Sequence, residues 1–145
     1  MTTKISTGLA AAILSGGSVK SALSGGIIRI YGGSAPAGAD DAATGTLLVT
    51  VSLNGDGSGL ELDDAVGQTM SKPSGDMWGG VVVATGTATH FRWVRPDDTG
   101  AASSTAVRLQ GSCGTAGAQL NMSSVNLVLN AVQTIDSGAI TMPMA

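Results

Sequence analysis

The sequence predicts an all-β domain, a sandwich or barrel of about eight or nine short strands carrying a short helical segment at its N-terminus. Three observations lead there. From Ile27 onward, short β-rich runs alternate with clusters of Gly, Ser, Asn, Asp and Pro. Within Thr87–Val94, Phe91 and Trp93 fall on one face and His90 and Arg92 on the other, the two-residue period of a strand. Helical spacing is confined to residues 5–24.

In chain order, the helical arm comes first. Ser6 is placed to cap, Ile5 stands where a hydrophobic staple residue sits, and Leu9 and Ile13 lie four apart. Gly16-Gly17 ends this helix; Ser18 opens a second turn with Val19 and Leu23 on one face, stopped by Gly25-Gly26. Both pieces are too short to be stable alone. The arm, residues 1–26, is therefore read as part of the same domain as the β region, 27–145.

The strands expected are Ile27–Tyr31, Thr46–Leu53, Gly59–Leu62, Gln68–Ser71, Trp78–Val83, Thr87–Val94, Ala106–Ser112, Ser124–Leu129 and Gln133–Met142. In Ala106–Ser112, Val107 and Leu109 are expected to face in and Arg108 and Gln110 out. Asn54-Gly55-Asp56-Gly57-Ser58-Gly59 reads as a hairpin loop whose residues accept positive φ. The stretch from Gly32 to Gly45, with Pro36 and many small residues, reads as a long surface connection.

Composition narrows the function. Gly, Ala, Ser and Thr make up about half of the 145 residues and charged residues 12%, against about 25% in an average soluble protein. Small uncharged side chains must cover much of the surface, which favours close packing against another protein. A net charge of −3 without a Lys/Arg cluster argues against a nucleic-acid partner. The patch Leu9–Leu14 after Lys4 is short for a signal sequence and far too short to span a bilayer, so a cytoplasmic product without a membrane segment is expected.

Chemistry-bearing residues are few. Asp98-Thr-Gly-Ala matches the active-site string of retroviral-type aspartic proteases, but Arg95-Pro96-Asp97 precedes it where those enzymes have an apolar strand, and a solvated turn is the expectation. Asn54, Asp56 and Ser58 alternate as in the first half of a calcium loop, yet Ala65 stands where the bidentate Glu belongs. Glu61, Asp63 and Asp64 follow and could offer oxygens to a weakly held cation, although acidic loops ordinarily face only water. His90 and Cys113 are single copies, the former read as lying on a polar strand face, the latter as a small core hydrophobe. No catalytic residue, metal site or cofactor is predicted. Arg29, Arg92 and Arg108 fall in expected strands and would line one outer sheet face, either docking acidic groups of a partner or simply solvated.

Several strings carry a family resemblance: Gly26-Ile-Ile-Arg-Ile-Tyr-Gly-Gly, Ala43-Thr-Gly-Thr-Leu-Leu, Gly86-Thr-Ala-Thr-His-Phe-Arg-Trp-Val, Asp98-Thr-Gly-Ala and Gly114-Thr-Ala-Gly-Ala. Together, across nearly the whole chain, they resemble the head decoration (cement) proteins of tailed bacteriophages, like that of the short-tailed Bordetella phages. The resemblance implies a jelly-roll-like β domain on the outer capsid surface that ties neighbouring major capsid proteins together, and it brings no catalytic residue. The expected function is thus a structural virion protein, with a tail-associated or receptor-binding β module as the alternative, for which Trp78 and Tyr31 are the candidate sugar-stacking aromatics. The expected partners are the major capsid protein and a second copy of the chain, a homodimer in preference to a homotrimer. Leu9, Ile13, Val19 and Leu23 of the arm, with Arg29, Arg92 and Arg108, are the candidate interface residues.

Overall fold

A computed structural model of the chain describes residues 3–141. The elements in order are β1 (Lys4–Ile5), α1 (Thr7–Leu14), α2 (Val19–Leu23), β2 (Ile27–Gly32), β3 (Thr46–Leu53), β4 (Thr69–Ser71), β5 (Trp78–Val81), β6 (Gly86–Thr87), β7 (His90–Val94), β8 (Arg108–Gly114), β9 (Leu120–Met122), β10 (Asn126–Leu127) and β11 (Val132–Thr141). Met142, expected to end the last strand, and Met1, expected in the arm, lie outside the described residues.

Seven strands close a barrel in the order β8-β7-β2-β3-β5-β11-β9, and β9 returns to β8 in a parallel pairing at Cys113–Leu120. Closure decides between the two architectures the sequence left open. The remaining edges are short: β1 pairs with β8 and β4 with β11, while β6 and β10 form a separate two-stranded ribbon.

Period-two alternation fills the interior. Ile28 pairs with Trp93 and Val51, Ile30 with Phe91 and Val49, and Trp93 with Leu109, so these apolar side chains share the inward face. All are buried. Trp78 meets Trp93 edge-on, with centroids 5.5 Å apart and planes at 84°.

The helical arm folds as its caps dictate. The Ser6 hydroxyl oxygen accepts from Leu9 N at 3.0 Å and from Arg108 N at 2.9 Å, and donates to Ala106 O at 2.7 Å, so one residue both caps α1 and ties it to β8. Ser18 and Ser21 form a reciprocal capping box on α2. Gly8 lets α1 approach the chain closely: a Cβ there would lie 2.3 Å from Thr105 O. Ile5 forms part of β1 and is half-exposed, so it does not act as the expected staple.

Several strand expectations change: Trp78–Val83 ends at Val81, Ala106–Ser112 shifts to Arg108–Gly114, Ser124–Leu129 shrinks to Asn126–Leu127, and two others alter more deeply. Gly59–Leu62 forms no strand: its single bridge is Leu60 to Gly26, and its backbone lies so close to the turn before β2 that a Cβ at Gly59 would sit 2.5 Å from the Gly25 backbone. Thr87–Val94 is split, Gly86–Thr87 turning away to pair with Asn126–Leu127. The 54–59 loop is a tight turn as expected, with positive φ at Asn54, Gly55 and Gly57.

Candidate functional site

The arginines do share one face. Arg29 pairs with Arg92, Arg92 with Gln110, and Tyr31 with His90 across β2, β7 and β8, on the outside of the barrel. That face is not solvated: Arg92 and Arg108 are each 1% exposed, and His90 and Gln110 are buried with them. Arg29 is half-buried. The expected outer docking face is therefore corrected to an internal polar layer.

What covers it is the pair of loops 33–45 and 95–107. Their backbones join at Ala43 N to Gly100 O (2.8 Å) and Ser103 N to Asp40 O (2.8 Å). Their carbonyls, lacking strand partners, are satisfied from below. Arg92 Nη2 donates to Gly38 O (3.1 Å) and Asp41 O (2.7 Å), and Arg92 Nε to Gln110 Oε1 (2.9 Å). Gln110 Nε2 donates to Pro36 O at 3.0 Å. Arg108 Nη1 reaches Ala39 O at 3.2 Å and its Nη2 reaches Ala101 O at 2.6 Å. The 33–45 stretch is thus a cover over buried charge rather than a free surface connection.

Asp98 is the counter-ion. Its Oδ2 accepts from Arg108 Nε at 2.7 Å and its Oδ1 from Arg108 Nη2 at 2.8 Å and from Gly100 N at 2.8 Å. Burial pushes its carboxyl up, but the bonds from Arg108 and Gly100 and the charges of Arg108 and Arg29 outweigh that and leave it below the ordinary carboxylate value. The expected turn is present, with Asp98 N donating to Arg95 O at 3.0 Å. The solvated carboxylate is not: its side chain is 4% exposed. A carboxylate held ionised this way is the opposite of one sharing a proton with a second aspartate.

His90 stacks on Tyr31, with centroids 5.4 Å apart and planes at 12°, and its Nδ1 lies 2.9 Å from Thr89 Oγ1. Burial lowers its pKa below 6.5; the neighbouring Arg92 adds to this and a backbone bond at Thr44 opposes it. The sign follows: below about pH 6.5 the unfolded chain takes up a proton that the folded chain refuses, so stability falls on acidification. We expect the urea midpoint to drop between pH 7.5 and 5.5, and His90→Gln to flatten that slope. An unchanged slope in the variant would locate the titration elsewhere.

The other candidates take structural places. Cys113 packs against the core, its thiol pushed up to about 12 by burial, a thiol rather than a reactive thiolate near neutrality. In the 54–64 loop, Asp56 accepts from Ser58 N at 2.9 Å, Glu61 from Ser24 Oγ at 2.6 Å, and Asp64 pairs with Lys20. Among the described residues no three His, Cys, Asp or Glu side chains are grouped to hold a metal, and no helix is long and apolar enough to cross a membrane.

The arm's interface candidates are also corrected. Leu9 and Leu23 are fully buried, and Ile13 and Val19 are half-buried against the same core. The arm covers its own barrel instead of offering these side chains to a partner. Trp78 and Tyr31, the aromatics available to a sugar-binding module, are likewise buried.

Leu14 of the arm and Val66 are each 85% exposed, but the exposed apolar side chains gather elsewhere. Val81, Val83, Val128, Leu129 and Val132 are between 50% and 68% exposed. They are neighbours: Val81 pairs with Val132, Val82 N donates to Ala131 O at 2.9 Å, and Asn130 N to Val82 O at 2.9 Å. Positive φ at Asn130 turns the chain back on itself there. The sequence signal is present in two long charge-free runs, between Asp76 and Arg92 and between Arg108 and Asp136, but an aliphatic residue in such a run does not reveal which face of the sheet it takes. Comparison with family models, with curated proteins and with solved structures finds no match to this chain.

Proposed function

We infer that the chain is a non-catalytic assembly protein that decorates the outside of a bacteriophage capsid and ties major capsid proteins together, with a barrel derived from the jelly-roll plan. The observation that carries this reading is the aliphatic patch Val81, Val83, Val128, Leu129 and Val132, drawn from two stretches of chain that hold no Asp, Glu, Lys or Arg. Fully burying one such side chain contributes about 1.5–3 kcal/mol, so a few of them at the centre of an interface of about 1,600 Å² supply specific binding without a charged contact. The patch contacts the capsid subunit, and symmetry-related copies add avidity.

In this reading the protein bridges as a homodimer in preference to a homotrimer. With β1 and β4 only two and three residues long, the two copies meet by faces rather than by adding strands at an edge. The alternative, a tail-associated receptor-binding module, loses its support with the burial of Trp78 and Tyr31.

The test is co-sedimentation with purified capsids lacking the protein. Val132→Glu combined with Val83→Glu should reduce capsid occupancy at least about tenfold at a fixed concentration, since a carboxylate would be buried unpaired, while the urea midpoint stays near that of the parent because both sites are exposed and are not direct cross-strand partners. Undiminished occupancy would remove the patch from the contact. A parent protein that stays in the supernatant would end the decoration reading.

A further inference from the structure

We propose that the barrel interior is a binding site for a small, uncharged, largely apolar molecule carrying one hydrogen-bond acceptor. A cavity of about 390 Å³ lies among residues of β2, β5, β7, β8, β9 and β11. Its floor is made by buried barrel side chains, among them Ile28, Trp78, Phe91, Trp93, Leu109 and Leu120, and its mouth by Gln119, Asn121 and Ser137 of the β8–β9 connection, β9 and β11. None of its lining residues is charged. An apolar void of about 150 Å³ is enough to take up benzene, and ligand pockets span about 300–1,000 Å³, so this volume suits a single-ring molecule with substituents.

The second observation sets the polarity of the ligand. Trp78 lines the cavity, is 1% exposed, and its Nε1 is buried without a hydrogen-bond partner. Trp93, the other tryptophan on the same floor, donates its Nε1 to Leu23 O at 2.9 Å. A buried indole N–H normally has a partner, and an orphaned one carries a desolvation cost that an acceptor in the cavity would relieve. A neutral carbonyl or ether on an apolar ring satisfies the donor while its ring covers Phe91, Leu109 and Leu120.

The experiment titrates the ¹⁵N-labelled full chain with acetophenone and with ethylbenzene, a slightly smaller hydrocarbon with the same ring and two-carbon substituent but no acceptor. The two tryptophans give two indole signals, assigned through Trp78→Phe or Trp93→Phe, whichever folds. The expected result is saturable binding of acetophenone with a downfield shift of the Trp78 indole proton and a smaller change at Trp93. Ethylbenzene should bind about two- to tenfold more weakly, without the downfield shift. In Trp78→Phe the two affinities should converge. Absence of saturable binding for both compounds overturns the site; equal affinities with identical Trp78 shifts in the parent overturn the role of the indole.

Discussion

Replacing Asp98 by Ala should lower the free energy of unfolding by about 3–5 kcal/mol, the cost of leaving one member of a buried ion pair alone. Arg108 is 1% exposed, and Asp98 takes two of its donors at 2.7 and 2.8 Å. Without that carboxylate the guanidinium stays in a layer that already holds Arg92, whose own pKa is lowered by burial first and by Arg108 second. Arg92 Nη1 has no partner even in the parent, so the layer has no spare acceptor to offer. The damage should spread to the covers, because Asp98 also receives Gly100 N and its backbone carbonyl receives Arg29 Nη1 at 2.6 Å. Urea unfolding followed by circular dichroism checks this. A loss below about 1 kcal/mol would mean that loop 95–107 stands open in solution and the pair is solvated.

Trp93→Ala should be of similar size, about 3–5 kcal/mol, by removing the largest side chain shared between barrel and arm. Its ring lies edge-on to Trp78 and inward beside Ile28 and Leu109. Its Nε1 also holds Leu23 O, the last residue of α2, and a Cβ at Gly26 would lie 2.2 Å from that nitrogen, so the arm is seated directly on the indole. Trp93→Phe separates the two contributions: it keeps most of the packing and loses the hydrogen bond, for an expected loss of about 1–2 kcal/mol. Against a total stability of about 5–15 kcal/mol, either alanine variant consumes a large part of the margin. If Trp93→Ala costs less than about 1 kcal/mol, the indole is not in the core.

Local chemistry made much of the fold legible. The strand Thr46–Leu53 is found with the boundaries its composition predicts, and both helices begin at the serines that cap them. Alternation identified Phe91 and Trp93 as a pair on one face and Arg92 with His90 on the other. Strand β9 is not legible locally because Leu120–Met122 is three residues long, too short for the inward alternation of Leu120 and Met122 to stand out, and it is fixed by its pairing with β8 and β11. The aliphatic patch escaped because an outward-facing valine in a charge-free run looks like an inward-facing one.

By itself, then, the amino-acid sequence determined which residues extend, which turn, and which share a face, since backbone sterics, capping and period-two alternation act between residues close in the chain. Only the tertiary structure decided what lies over each face. Arg92 and Arg108 became the interior of a polar layer because loops 33–45 and 95–107 close over them, and Leu9 and Leu23 became core because the arm packs on its own barrel. Burial depends on contacts between segments that are distant in the chain. The same arginine-bearing strand face is solvated or sealed according to where two remote loops come to rest.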